Sequence, residues 1–290
     1  MVVDMGSVPN ITLNDGTKMP QLGFGVLHVP PDETQQVVEQ ALEVGYRHID
    51  TAQLYHNEEG VGRAIAASGI PLNKLYVTTK LHNGLHERDD ARRSFDESLT
   101  KLGLDHVDLF LIHWPLPTRY GGNFERTWRL MTEFSGEWGD GRARSVGVSN
   151  FEPDHLKRIV DDSGHVPAVN QIEVHPYFGN EQARAANTSY GIATQAWSPI
   201  AQGAVLDNPV IGAVAQRVER TPAQVTLRWH VQRGDIVFPK SANADRMREN
   251  FELFDFELGD DDMAAITQLD RGTDGRQGPD PNTLDWVSDD

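Results

Sequence analysis

The chain has 290 residues, 43 of them acidic and 26 basic, for a formal net charge of −17, and it contains no cysteine. Without cysteine there is no disulfide framework, no thiolate metal site and no catalytic thiol. A chain this acidic, with only six lysines, also argues against generic binding to nucleic acid or to an anionic membrane.

The first residues lack a basic stretch followed by an apolar one, and apolar strings such as Val107 to Ile112 are too short to span a bilayer, so a soluble, cytoplasmic protein is expected. Asp15-Gly16 between short β-prone runs predicts a hairpin over residues 11–20. Eight β-branched or aliphatic runs then follow: Gln21 to Phe24, Arg47 to Asp50, Leu75 to Lys80, Val107 to His113, Ala143 to Ser149, Val169 to Val174, Ile192 to Trp197 and Asp235 to Pro239. Segments of helical period lie between them. Val37, Ala41 and Val44 recur at i, i+4, i+7, and Ala91, Phe95, Leu99 and Leu102 at i, i+4, i+8, i+11. Thr221 before Pro222 reads as an N-cap, opening a helix whose Ala223, Leu227 and Val231 share a face.

This alternation predicts an α/β chain folded as one (β/α)₈ TIM barrel over residues 1–290, with the hairpin closing its bottom. A doubly wound sheet is the competing architecture. Against it, Gly23 and Gly25 lead into Val26 to His28 without a G-x-G-x-x-G fingerprint, and no P-loop occurs. Residues 272–290, rich in Gly, Asp and Pro, are expected to form a long loop.

In such a barrel the carboxyl ends of the strands carry the site. Three consecutive strands end in an ionisable residue, Asp50, Lys80 and His113, and Tyr55 follows Asp50 by five positions. A phenol is a weak proton donor near neutrality. A nearby ammonium favours its phenolate, and a carboxylate keeps that ammonium charged and placed. Each residue alone also fits a structural ion pair, a satisfied core histidine or a packed aromatic; the four together at adjacent strand ends point to chemistry.

The segment Gly45-Tyr46-Arg47-His48-Ile49-Asp50-Thr51-Ala52, continuing to Tyr55, Asn57, Glu58 and Gly62, resembles the first signature of the aldo-keto reductases. Leu102-Gly103-Leu104-Asp105 with Ile112-His113-Trp114-Pro115, then Gly147-Val148-Ser149-Asn150-Phe151, then Phe238-Pro239-Lys240-Ser241 with Arg246, Glu249, Asn250 and Phe251, are similar to its later motifs. The resemblance runs from about Ile11 to about Asp280, and is nearest to the bacterial 2,5-diketo-D-gluconate reductase branch. It implies a catalytic tetrad of Asp50, Tyr55, Lys80 and His113, with Tyr55 as general acid in reversible hydride transfer between NADPH and a small carbonyl substrate. It further implies that Ser149, Asn150 and Gln171 hold the nicotinamide carboxamide and that Trp197 stacks on the ring. Ser198 and Gln202 would then reach the pyrophosphate, Lys240, Ser241 and Arg246 the 2′-phosphate, and Glu249 and Asn250 the adenine. No metal is implied, and a monomer is expected.

Several positions depart from the family pattern. Leu27 replaces an aromatic of the substrate pocket, His82 a common tryptophan, and His56 and Ala201 frequent glycines. Leu27, His82 and Trp114 are the expected pocket residues, more polar than usual. The loops 116–123 and 134–141, the latter carrying Trp138, are open between lining that pocket and packing outside it. Two other functions compete: a nucleotide-binding module that reports redox state, which needs no tuned tyrosine, and a lyase or isomerase using Lys80 as a Schiff-base amine, which a paired, protonated lysine disfavours.

Overall fold

The computed structural model describes residues 8–287. Strands β1 (Asn10–Thr12) and β2 (Lys18–Pro20) pair antiparallel with Ile11 opposite Met19. Asp15 makes their turn: its Oδ1 accepts the backbone N–H of Thr17 at 2.9 Å and the Thr17 hydroxyl at 2.7 Å, and Gly16 takes a φ of 81° that suits glycine. The other Asp15 oxygen accepts the Ser145 hydroxyl at 2.6 Å, while Asn14 donates to the Pro167 carbonyl at 2.9 Å. The hairpin is thereby pinned to strands far along the chain.

Eight parallel strands follow, β3 (Phe24–Gly25), β4 (His48–Asp50), β5 (Tyr76–Leu81), β6 (Val107–Ile112), β7 (Ala143–Ser149), β8 (Val169–Glu173), β9 (Ala193–Trp197) and β10 (Ile236–Val237), each paired with its neighbour in sequence. The ends of this sheet meet. Leu22 bridges Val237 in parallel, with Gly23 donating its N–H to the Val237 carbonyl at 2.7 Å and Val237 donating to Gln21 at 3.0 Å. All eight expected strands are present, in a TIM barrel. Every residue of β5 and β6 is buried, because helices cover one face and the barrel interior the other. At Gly147 a Cβ would lie 2.5 Å from the Val169 carbonyl oxygen, so glycine alone lets β7 and β8 approach there.

The helices are α1 (Pro31–Val44), α2 (Glu58–Ser68), α3 (Arg88–Leu102), α4 (Phe124–Thr132), α5 (Pro153–Ser163), α6 (Glu181–Tyr190), α7 (Pro209–Val218), α8 (Pro222–Gln232), α9 (Ala244–Phe251) and α10 (Asp260–Thr267). Helix α3 buries its predicted stripe of Ala91, Phe95, Leu99 and Leu102, and the Phe95 ring stacks on Phe110 with centroids 4.0 Å apart. Thr221 and Gln224 form the reciprocal capping box that opens α8. That helix differs from the one-faced expectation. It is buried continuously from Gln224 to Val231, because α7 and α9 pack on sides that an ordinary barrel helix gives to water.

Apolar side chains fill the bottom of the barrel, where Leu13 and Met19 of the hairpin meet Tyr76, Leu109, Leu111, Val169 and Ile236. The polar interior is thus left to the carboxyl ends of the strands. Residues 134–141 lie at the opposite end, with Ser135 bridging Ala143 at the start of β7 and Trp138 packed on His165 at 4.3 Å, so they pack outside the pocket. The expected C-terminal loop has one short 3-10 turn at Gly272–Gly275 and no regular structure from there to 287; residues 288–290 lie outside the described part.

Five buried histidines make stability depend on pH. Burial pushes His48 and His86 down to about 3 and His155 to about 4, and it also lowers His113 and His230. Below about pH 6.5 the unfolded chain protonates His48, His86 and His155 while the fold does not until about pH 3 to 4, so each costs up to about 1.4 kcal/mol per pH unit in between, and His113 and His230 act in the same sense. Asp50, Glu58 and Asp108, whose carboxyls burial pushes up, work in the opposite sense and offset part of the loss. Urea unfolding is expected to show a midpoint that falls between about pH 7 and about pH 5; a midpoint that holds or rises over that window contradicts this account.

Candidate active site

Strands β4 and β5 bring a carboxylate and an ammonium together. The Lys80 Nζ donates to Asp50 Oδ1 at 2.6 Å, to the Thr51 carbonyl at 2.9 Å and to the Tyr55 hydroxyl at 3.3 Å. Both side chains of the pair are essentially solvent-free, at 0% and 1% exposure. Tyr55 reaches this ammonium because a 3-10 turn, Gln53–Tyr55, folds the chain back after β4 and ends on His56 at a φ of 55°. Glycine is the natural residue for that conformation, so the departure at His56 falls where the backbone resists it. His113, directly after β6, sets its ring edge-on to Tyr55 with centroids 5.7 Å apart.

Burial alone would lower the Lys80 pKa, but the Asp50 carboxylate and the Tyr55 oxygen raise it, so the side chain stays an ammonium. The Asp50 carboxyl is pushed up by burial and held down by Lys80 and Gln171. Tyr55 corrects a simpler expectation. Burial pushes its phenol above the ordinary value, and the pull of Lys80 offsets only part of this. Burial and the Lys80 charge hold His113 well below its usual value, so it is a neutral imidazole with one N–H to give.

A second group surrounds the tetrad. Gln171 on β8 donates its side-chain N–H to Asp50 Oδ2 at 2.7 Å and to Gln195 Oε1 at 3.0 Å, a tie to the tetrad that sequence reasoning missed. Ser149 donates to the Gln171 carbonyl at 2.8 Å. Asn150, left-handed at a φ of 64°, donates to the His113 carbonyl at 3.0 Å and accepts the Trp197 indole N–H at 2.8 Å. Asn150 also donates to the Ser149 hydroxyl at 3.0 Å, so Trp197, Asn150 and Ser149 are linked side chain to side chain and reach the main chain of Gln171. After β9, Ser198, Ala201 and Gln202 all take positive φ, of 49°, 48° and 52°. Glycine, expected at Ala201 from the family resemblance, is the residue that suits such a conformation.

The structure puts the proposed phosphate residues beyond β10. Lys240 and Arg246 are exposed, and among the described residues neither makes an ion pair, whereas Ser241 is 8% exposed and its hydroxyl accepts the Asn243 N–H at 3.1 Å. Asn243 rather than Ser241 caps α9, accepting the Arg246 N–H at 3.0 Å. Glu249 accepts the Thr221 hydroxyl at 2.6 Å, and Asn250 is buried. Of the pocket residues, Leu27 is 45% exposed at the rim, Trp114 is half-buried, and His82 is buried with its Nδ1 accepting the Gly84 N–H at 3.0 Å. Loop 116–123 stands at the same rim, where the Tyr120 hydroxyl donates to the Asn83 carbonyl at 2.8 Å.

Residues 276–286 belong to the expected C-terminal loop. They run from the β7 side, where Arg276 pairs with Glu152 at 3.0 Å just before α5, to the β5–β6 side, where Asn83 donates to the Trp286 carbonyl at 3.3 Å and Arg119 to that of Asp285. No local pattern announces this, because the strap is held largely through its backbone.

Among the described residues there is no cluster of side chains suited to a metal ion and no helix long and apolar enough to cross a membrane. The aldo/keto reductase family profile matches residues 16–271. An aldo-keto reductase from Mycolicibacterium smegmatis is 47% identical over 96% of this chain and 99% of its own length. Methylglyoxal reductase DkgA of Yersinia pestis is 47% identical over 95% of this chain and 97% of that protein. A crystal structure of a Gox0644 mutant in complex with NADPH superposes with a TM-score of 0.91 at 45% identity, covering 97% of this chain and all of that one. On sequence, fold and the arrangement of the strand ends, this chain belongs to the aldo/keto reductase family.

Proposed function

We propose that this protein reduces small, polar carbonyl compounds to alcohols, α-dicarbonyls and keto sugars among them, with Tyr55 as the general acid. As a family member it is an NADP-dependent oxidoreductase. The carrying observation is the buried Lys80 ammonium, which touches both Asp50 and the Tyr55 hydroxyl. NADPH, when bound, supplies the hydride to the carbonyl carbon. Tyr55 gives its proton to the carbonyl oxygen as charge develops there, and Lys80 stabilises the phenolate left behind. Asp50 keeps Lys80 charged. His113, neutral and beside Tyr55, donates its hydrogen bond to the same oxygen and orients the substrate.

The residues present fit the dinucleotide. Two exposed cations, Lys240 and Arg246, stand near Ser241 in the chain and would suit a 2′-phosphate. Ser149, Asn150 and Gln171 would hold the carboxamide, Trp197 would face the ring, Ser198 and Gln202 would reach the pyrophosphate, and Glu249 and Asn250 the adenine. Leu27, His82 and Trp114 line the substrate side, and the imidazole in place of a large indole favours polar substrates. The likeness to methylglyoxal reductases supports α-dicarbonyls. We read the whole chain as one domain acting as a cytoplasmic monomer.

The direct test is NADPH oxidation with a panel containing methylglyoxal, a keto sugar acid and an apolar aldehyde. Turnover of none of them by protein that binds NADPH defeats the proposal. Tyr55→Phe is expected to lower kcat by about 10²- to 10⁴-fold with little change in stability or cofactor affinity. Asp50→Asn strands a buried ammonium and is expected to cost about 3–5 kcal/mol of unfolding free energy as well as activity. If the two variants lose stability equally, the ion pair does not have the structural role given to it.

Neutralising Lys240 and Arg246 together is expected to weaken NADPH by about tenfold to a hundredfold and NADH much less. Equal losses for both cofactors, read by fluorescence titration, contradict the phosphate assignment.

A further inference from the structure

Glu173 closes β8 directly opposite Trp197 on β9, and its carboxylate is buried at 2% exposure. It is fully engaged without touching the tetrad. Its Oε1 accepts the Gln277 backbone N–H at 2.6 Å and lies 3.0 Å from His175 Nε2, while Oε2 accepts the Gly278 N–H at 2.9 Å. Two successive N–H groups of the C-terminal strap therefore converge on one carboxylate, a strong charge-assisted arrangement. Gln277 adds a side-chain bond to the Ala201 carbonyl at 3.2 Å, next to the loop that follows Trp197. The same latch presses Gly278 against the indole. A Cβ at that position would lie 2.4 Å from the Trp197 ring and 3.0 Å from Glu173 Oε2. On its polar edge the indole is fixed by Asn150, which accepts its N–H at 2.8 Å.

Trp197 is thus clamped between Asn150 and the strap, and the strap is held by Glu173. We infer that Glu173 is a positioning residue for the cofactor: by latching residues 277–278 it fixes the Trp197 ring, and so the width of the slot that receives the nicotinamide. This rests on the reading that Trp197 stacks on that ring. Glu173 contacts neither substrate nor dinucleotide and acts only through the strap. A carboxylate is required because three donors need two accepting oxygens; an amide offers one and adds N–H groups facing other N–H groups. A glycine is required at 278 because the indole already occupies the space of a side chain.

Three variants test this in the full-length protein with NADPH as probe. Glu173→Gln keeps the volume but loses an accepting oxygen; Gly278→Ala leaves the carboxylate intact and pushes strap and ring apart from the other side. Each is expected to raise the NADPH Kd by about tenfold, through faster release in stopped flow, while kcat at saturating NADPH is unchanged or higher. Trp197→Ala is the control for the underlying reading. If it leaves the NADPH Kd unchanged, the stacking role itself fails. If it weakens NADPH while Glu173→Gln and Gly278→Ala do not, the positioning role fails and the stacking role survives. A lowered melting temperature with unaltered Kd and release rate in both variants makes the latch purely structural and overturns the inference. Should Glu173→Gln not fold, Gly278→Ala alone decides between these outcomes.

Discussion

The buried pair of Lys80 and Asp50 is the constraint around which the rest of the mouth is arranged. A lysine with no solvent exposure is tolerated only when its charge is matched and its donors are used, and here the three donors go to Asp50, the Thr51 carbonyl and the Tyr55 hydroxyl. Those partners span one continuous stretch, the end of β4 and the turn that follows it. Asp50 has a second oxygen to satisfy, and Gln171 supplies it from β8, across the interior. The ion pair therefore ties β4 and β5 to β8, so the geometry of the proposed proton donor depends on the closure of the whole barrel. The apolar bottom contributes from below, where the hairpin side chains Leu13 and Met19 are buried against the strands.

The same pair bears on the acid role proposed for Tyr55. Burial favours the protonated phenol more strongly than Lys80 favours the phenolate, so Tyr55 waits with its proton on. A general acid must hold its proton until charge develops on the substrate oxygen, and then lose it without large reorganisation. In the proposed reaction Lys80 would serve the second requirement, because it already stands 3.3 Å from the oxygen that would become anionic. A depressed pKa in the resting site, the expectation from charge alone, would weaken the first. The paired ammonium is likewise a poor nucleophile, which leaves the Schiff-base chemistry considered from the sequence without an activated amine.

The sequence showed the barrel and the tetrad because both are local signals: short aliphatic runs, and the ionisable residue that ends each of three of them. It also showed where the chain departs from its relatives, at His56 and Ala201. It did not show that both replacements take left-handed backbone, since φ is set by turns that tertiary contacts close. Helix α8 was legible at its cap, through Thr221, Pro222 and Gln224, but not in its all-round burial, which α7 and α9 impose. The strap was least legible. Its latch on Glu173 uses the N–H groups of Gln277 and Gly278, which almost any residue would offer, and the glycine that the indole requires at 278 reads in the sequence as one more loop glycine.

The distribution of positive charge follows from the same economy. Many arginines of this acidic chain are spent on neighbouring carboxylates: Arg88 and Arg92 share Glu133, Arg142 meets Asp96 and Asp140, and Arg184 meets Asp235 and Glu181. Lys80 is cancelled by Asp50. Lys240 and Arg246 are left exposed beyond β10 and, among the described residues, without an ion pair. For the proposed 2′-phosphate, two cations at contact would act almost unscreened, whereas charges farther away than about 8 Å are largely screened at physiological salt. Contact outweighs the screened field, so a net charge of −17 is compatible with a proposed ligand that is itself strongly anionic. What this requires is that the few cations at its binding end remain unpaired.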